Sequence, residues 1–227
     1  MKTLLRTTMV LTLLALCAPA LLAQTIEKRR VGDFTGVSIG GIFKVEITQG
    51  RSSSLEIEAC PDAMDHINTT VRDGILHVGL DDYDGDCNAI LHITVGKFDY
   101  LSLSGVVNLH TTNTVRQREM HLLMSGATKL NGDWNIESLH LEASGAANMN
   151  MAGKTEEAKV EMSGAAKLSA SDFIAKEMII EASGAANARV HVIEELDAEL
   201  SGAANVNYKG DPEVRKELSG MANVNRG

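Results

Sequence analysis

Large side chains are scarce in this sequence. Of its 227 residues 4% are aromatic, with one Trp, and proline occurs three times. A globular sandwich needs bulky groups to fill its centre. This composition is rich in Gly and Ala instead, which suits a narrow coil with tight corners. Positive charge is also short: 21 Lys and Arg stand against 30 Asp and Glu, a formal net charge of −9. That balance works against nucleic acid or anionic lipid as a partner and suits solubility or cation binding. Beyond residue 23 no run is apolar enough to form a membrane-spanning helix. Cysteine is nearly missing, at three residues in all.

The beginning of the chain reads as an address, a signal peptide over residues 1–23. Lys2 and Arg6 form a short basic region, and Met9 to Leu22 is an apolar run too short for a comfortable span. Cleavage within Ala20-Leu21-Leu22-Ala23 leaves Gln24 first. Alternatives are cleavage after Ala18-Pro19-Ala20, and lipidation at Cys17, where Leu16 is bulkier than that signal wants. Removing Lys2 and Arg6 with the peptide takes the net charge from −9 to −11. The chain is therefore expected to be exported: periplasmic, outer-membrane-associated or extracellular. Cys60 and Cys87 remain, and an oxidising compartment makes them a candidate disulfide. Their other reading is two small buried apolar residues.

Residues 24–33 read as a loose polar leader and 34–227 as one domain. From Phe34 to about Tyr100 the chain alternates as strands without a clear repeat. Phe43–Ile47 and Leu55–Ala59 flank the turn Gln49-Gly50-Arg51-Ser52 and are expected to pair as a hairpin. Pro61 opens one helical turn, and Asp73-Gly74 marks a second hairpin turn. Ile75–Leu80 and Ile90–Val95 are further strands, with an acidic loop between them.

From residue 101 a five-residue motif, Ser-Gly-Ala-Ala-Asn with small changes, recurs. Its Ser-Gly pairs are Ser104-Gly105, Ser125-Gly126, Ser144-Gly145, Ser163-Gly164, Ser183-Gly184, Ser201-Gly202 and Ser219-Gly220. Successive serines are 18 to 21 residues apart by subtraction of those numbers. A period near twenty that tolerates slips marks a solenoid. One, three and five residues before each serine the chain is mostly apolar, as in Leu139, Leu141 and Ala143, so a strand enters each corner. The glycine demands positive φ or close backbone approach, and an apolar residue five after the serine starts a second strand. The expected fold is all-β, a right-handed parallel β-helix of 18–21-residue coils with a less regular N-terminal part. An up-and-down barrel is the alternative, though it would not need one corner recurring at a single period.

Stacking turns repeat positions into columns. Four after the serine stand Asn108, Lys129, Asn148, Lys167, Asn187, Asn205 and Asn223, whose amides are expected to bond between coils. Two before it stand Glu142, Glu161, Glu181, Glu199 and Glu217. Neighbouring carboxylates at this spacing repel by roughly 0.8 kcal/mol in bulk water, so the five cost of order 3 kcal/mol. The stripe is either a solvated face that discourages aggregation or a site for calcium or a basic partner. Asp82, Asp84 and Asp86 are a second calcium candidate, but Gly85 falls at the wrong place for an EF-hand loop. No catalytic or cofactor-binding residue is assigned, and calcium is the one cofactor that either carboxylate set suggests. The serines are not nucleophile elbows, since G-x-S-x-G is absent. His121 and His140 share a column and could hold zinc, but a solvated pair is the simpler reading. Trp134 reads as a loop residue able to stack on a sugar.

These residues have a family look. Phe34-Thr35-Gly36-Val37, Gly41-Ile42-Phe43-Lys44-Val45, the serial Ser-Gly-Ala motifs, Tyr208-Lys209-Gly210-Asp211-Pro212 and Leu218-Ser219-Gly220 together resemble the bacterial head GIN domain family, also labelled putative auto-transporter adhesin. The resemblance covers about residues 31–227. It implies an exported right-handed parallel β-helix and supplies no catalytic residues. The leading functional expectation is a non-catalytic envelope protein that binds a protein or glycan through the solenoid flank. The alternatives are a polysaccharide-acting enzyme, argued from fold alone, and a scaffold that self-associates through its open coil end.

Overall fold

The computed structural model describes residues 24–85 and 87–227. The expected signal peptide, Cys17 and Asp86 lie outside the described residues. In the N-terminal part β1 (Thr25–Arg29), β2 (Gly36–Gln49), β3 (Ser54–Ala59), α1 (Pro61–Met64), β4 (Ile67–Arg72), β5 (Ile75–Leu80) and β6 (Ala89–Val95) follow one another. The repeats form β7 (Tyr100–Thr111), β8 (Val115–Met124), β9 (Lys129–Ala143), β10 (Asn148–Met162), β11 (Lys167–Ala182), β12 (Asn187–Leu200), β13 (Asn205–Lys209), β14 (Glu213–Leu218) and β15 (Asn223–Arg226). All belong to one sheet whose main path runs β1-β3-β6-β2-β7 and then in chain order to β13 and β15, with β14 on β12. The result is a parallel β-solenoid of about 7 turns with coils of ~19 residues.

Each coil is one bending strand and one tight corner. In β9 the buried residues fall in three groups, Leu130, then Trp134 and Ile136, then Leu139, Leu141 and Ala143. Exposed Asp133 and the Glu137-Ser138 pair mark the bends between them. Parallel pairing repeats this outline: Leu139 lies beside Ala158, which lies beside Met178. Apolar groups therefore stack along the axis and each coil buries the inward face of the next. Thin coils leave little room, which is why Ala147, Ala166, Ala186 and Ala204 line the corner at 1% exposure or less.

Three expectations for the N-terminal part change. Residues 25–29 are not a loose leader: β1 pairs antiparallel with β3, and Arg29 donates to the Met64 and Ile67 carbonyls. Phe43–Ile47 and Leu55–Ala59 do not pair with each other. The strand β6 lies between them, parallel to β2 and antiparallel to β3. Alternation identifies a half-buried strand but carries no information about its partner. Finally, β2 is itself a coil of the stack, in register with β7 from Gly36–Tyr100 to Ile47–Thr111. Gly40 and Gly41 occupy the places of Ser104 and Gly105, so the first corner lacks its serine and hides from a motif search. The hairpin at Asp73-Gly74 forms as read, joining β4 and β5.

Candidate functional site

The Ser-Gly corners align along one edge of the solenoid. Their glycines have φ between 72° and 85°, a left-handed conformation that residues with a Cβ adopt at a penalty. Space is short as well: a Cβ on Gly145 would lie 2.9 Å from the Gly126 carbonyl oxygen. Backbone bonds stitch each corner to the one before. The N–H of Ser163 donates to the Ala143 carbonyl, that of Ala165 to Gly145, and that of Lys167 to Ala147, at 2.8–2.9 Å. Serine side chains contribute little: the Ser104 and Ser144 hydroxyls reach carbonyls of the preceding coil at 3.4 Å. Among the described residues neither hydroxyl hydrogen-bonds to a carboxylate or an imidazole.

Beside the corners an open groove of about 780 Å³ runs along the stack, lined by the serines and by Glu142, Glu161, Glu181, Glu199 and Glu217. The carboxylates thus share one flank, but the stripe is not bare. The residues two earlier, His140, Lys159, Ile179, Asp197 and Arg215, point out of the same face. Lys159 bridges two coils, its Nζ 2.6 Å from Glu161 and 3.3 Å from Glu181. His140 Nε2 lies 3.0 Å from Glu142. Hydrogen bonds donated to Glu161 and then to Glu181 hold the Lys159 ammonium above the ordinary lysine range. The same bond from Lys159 holds the Glu161 carboxyl below its usual range, against the opposing effect of burial. Glu161 and Glu181 therefore share a cationic neighbour, Lys159, and the repulsion reckoned from the carboxylates alone is too large. Among the described residues Glu199 and Glu217 make no ion pair. Arg215 turns instead to Glu195 and Glu213.

The strands leaving the corners present a different surface. The residues four after the serine alternate with a column six after it: His110, Asn131, Asn150, Ser169, Arg189, Asn207 and Asn225. The residue between each pair is inward, as Met149 and Leu168 show at 0% and 2% exposure. Of these fourteen outward positions nine are Asn, three are Lys or Arg, and none is acidic. The asparagines do not form one ladder as expected. Asn187, Asn205 and Asn223 donate to carbonyls two residues back in their own coil, at 3.0 Å. Contacts between coils join Asn150 to Asn131 at 2.8 Å and Asn223 to Asn205 at 3.3 Å. The column six after the serine escapes the five-residue motif because its members vary; counting outward positions by strand alternation finds it.

Other candidate residues are scattered. The sulfurs of Cys60 and Cys87 are bonded to each other, fastening the end of β3 to the loop before β6. Asp82 and Asp84 lie exposed in that loop. Among the described residues no three acidic, His or Cys side chains converge as a metal would require. The rings of His121 and His140 are 5.5 Å apart, but each Nε2 faces a carboxylate of its own coil, Glu119 or Glu142. Trp134 corrects the sugar-stacking expectation: it is an inward residue of β9 at 0% exposure, and its polar flanks disguise that strand as a loop. A local irregularity in β11 sets Ser171 and Asp172 at the rim of a cleft of about 430 Å³. Asp133, Asn131, Asn150 and Arg189 also line it.

The profile of "Putative auto-transporter adhesin, head GIN domain" matches residues 33–212. No curated protein matches the chain. A putative adhesin of Bacteroides fragilis superposes with a TM-score of 0.84 at 19% identity, covering 90% of this chain and 97% of that one. One from Parabacteroides merdae gives 0.69 at 20%, covering 90% and 96%. A putative lipid binding protein of Parabacteroides distasonis gives 0.70 at 15%, covering 90% and 96%. At these identities the structures speak for the fold, while the profile covers most of the chain. The chain belongs to the head GIN domain family of putative auto-transporter adhesins.

Proposed function

We propose that this protein is an exported, non-catalytic module of the cell envelope that binds an extended partner along the flank of its solenoid. The observation that carries this reading is the in-register stack from β7 to β15, which repeats the same outward side chains over several coils. Long columns of weak, equivalent contacts suit a large or periodic partner better than a small substrate. The adhesin description of the family supports the same reading. Export draws support from the basic and apolar start of the sequence and from the bonded cysteines, since such bonds persist in oxidising compartments.

The test is capture of an envelope component on the immobilised protein, with fractionated cells examined for a product beginning at Gln24. A Gly145→Val variant, which cannot form its corner, should lose the capture. If no envelope component is retained, binding through the flank fails.

One observation favours a second reading, a polysaccharide-acting enzyme. The cleft at the β11 irregularity carries two carboxylates, Asp133 and Asp172, registered on either side of Ala152. Paired carboxyl groups are the usual equipment of glycoside hydrolysis. Release of reducing ends from a polysaccharide panel, abolished by Asp172→Asn, would establish that reading over the first.

A further inference from the structure

Resting on the flank-binding reading, we infer that the asparagine- and lysine-bearing face binds an acidic polysaccharide laid along the solenoid axis. The charge distribution is the starting point. The chain is acidic overall, and about half of its described cations outside this face, among them Lys28, Lys97, Lys159, Lys176 and Arg215, are held by carboxylates. On this face Lys44, Lys129, Lys167 and Arg189 have none among the described residues. Columns four and six carry no acid from β7 to β15, and the face ends at Glu46, which lies beside His110 and is engaged by His92. On a chain this acidic the two columns, themselves free of carboxylates, are where an anion meets the least repulsion, with Asp133 and Asp172 set beside them in the cleft.

The spacing selects the kind of anion. Register runs Lys44, Asn108, Lys129, Asn148, Lys167 and Asn187 on successive coils. Lysines therefore alternate with asparagines, and neighbouring lysines stand about 9.6 Å apart at the usual strand spacing. An extended sugar chain advances by about one strand spacing per ring, so this column matches a polymer with a carboxylate on every second sugar. Asparagine suits the rings between, because one amide both donates to and accepts from hydroxyls. Among the described residues the Asn108, Asn148, Asn207 and Asn225 amides have no protein partner, leaving that capacity unused. Arg189 continues the positive track one coil past Lys167 and lines the β11 cleft. Asp133 and Asp172 in that cleft can accept sugar hydroxyls but repel carboxylates, which confines the anionic groups to the lysine column.

The experiment measures binding of the purified protein to hyaluronate, which carries a carboxylate on alternate sugars, to polygalacturonate, which carries one on each, and to neutral dextran. Phosphatidylglycerol vesicles form a fourth arm. Hyaluronate should bind, weaken as salt rises, and outcompete dextran. Lys129→Gln with Lys167→Gln should lower its affinity about tenfold, while Glu137→Gln at the exposed bend of β9 leaves it unchanged. These exposed exchanges leave the core untouched, and a retained melting temperature verifies folding. Failure of both acidic polymers, equal binding of dextran, or indifference to the lysine pair overturns the inference. Capture of vesicles through the lysines without hyaluronate binding overturns it in favour of a membrane surface. An envelope component captured normally by the double-lysine variant overturns this inference alone; absence of any captured component removes the flank-binding reading itself.

Discussion

At the scale of single residues two positions carry more than their size suggests. Gly145 has φ of 76°, and a Cβ there would press on the Gly126 carbonyl. Replacing it by Ala adds left-handed strain and forces two coils apart, so we expect about 3 kcal/mol of destabilisation. Gly32, whose Cβ would meet nothing within 4 Å, is the control, and thermal melts of the two variants should separate clearly. Lys159 is the second position. Its raised pKa and the lowered pKa of Glu161 share one cause, their hydrogen bond. The Glu161 contribution is present above the ordinary carboxylate value of about 4.3 and is lost as pH falls through its depressed folded value. The Lys159 contribution is present below about pH 10.4 and is lost as pH rises through its raised folded value. The pair therefore acts across the whole range between. Lys159→Met should move the Glu161 carboxyl back toward its ordinary titration range, with little change in stability because both groups face solvent. A carboxyl NMR titration reads this directly; an unmoved Glu161 would mean the bond is not formed in solution.

At the scale of elements, the core beneath β9 depends on Trp134. Nothing else in that coil has its volume, and Trp134→Ala should cost about 4 kcal/mol through the cavity left behind. Buried at 0% exposure, the indole should emit as an apolar-site fluorophore, resist acrylamide, and ignore added saccharide of any kind. Saccharide-dependent quenching would return the residue to the surface role that its polar neighbours suggest. The bond between Cys60 and Cys87 plays a comparable part for β3, α1 and β4, which lie outside the parallel stack. It closes a separation of 27 residues, worth roughly 3.5 kcal/mol in chain entropy by the loop-length relation. The double change Cys60→Ser, Cys87→Ser should lower the denaturant midpoint. It should also make that midpoint insensitive to reductant, whereas the natural chain responds to it.

At the scale of the whole molecule, the sequence is most legible where the same physical demand recurs. A corner that needs glycine every twenty residues, with a small inward residue two beyond it, leaves a periodic trace from Ser104 to Ser219. Gly40-Gly41 meets the same demand without serine, so the trace vanishes although the coil does not. The antiparallel partners of β3 were hidden for another reason: pairing across dozens of residues is settled by which edges remain open, and β2 already had both of its edges taken. The glutamate flank could be read from position alone, but its neutralisation by Lys159 required knowing which side chains lie together. A column so built has a definite mechanical consequence. Each coil contacts its two neighbours, so stability is a sum of nearest-neighbour terms, and a coil paired on one side should open first. Within the described chain β14 pairs with β12 and β15 with β13, and Leu218 and Met221 are 43% and 77% exposed there. Amides of β14 and β15 should thus exchange with solvent well before those of β10 and β11, which are covered by coils on both sides. Gly145→Ala should speed exchange most in β9 and β10 and spread outward with distance. Equal protection along the axis, falling together in the variant, would show a single cooperative unit and would remove the nearest-neighbour picture.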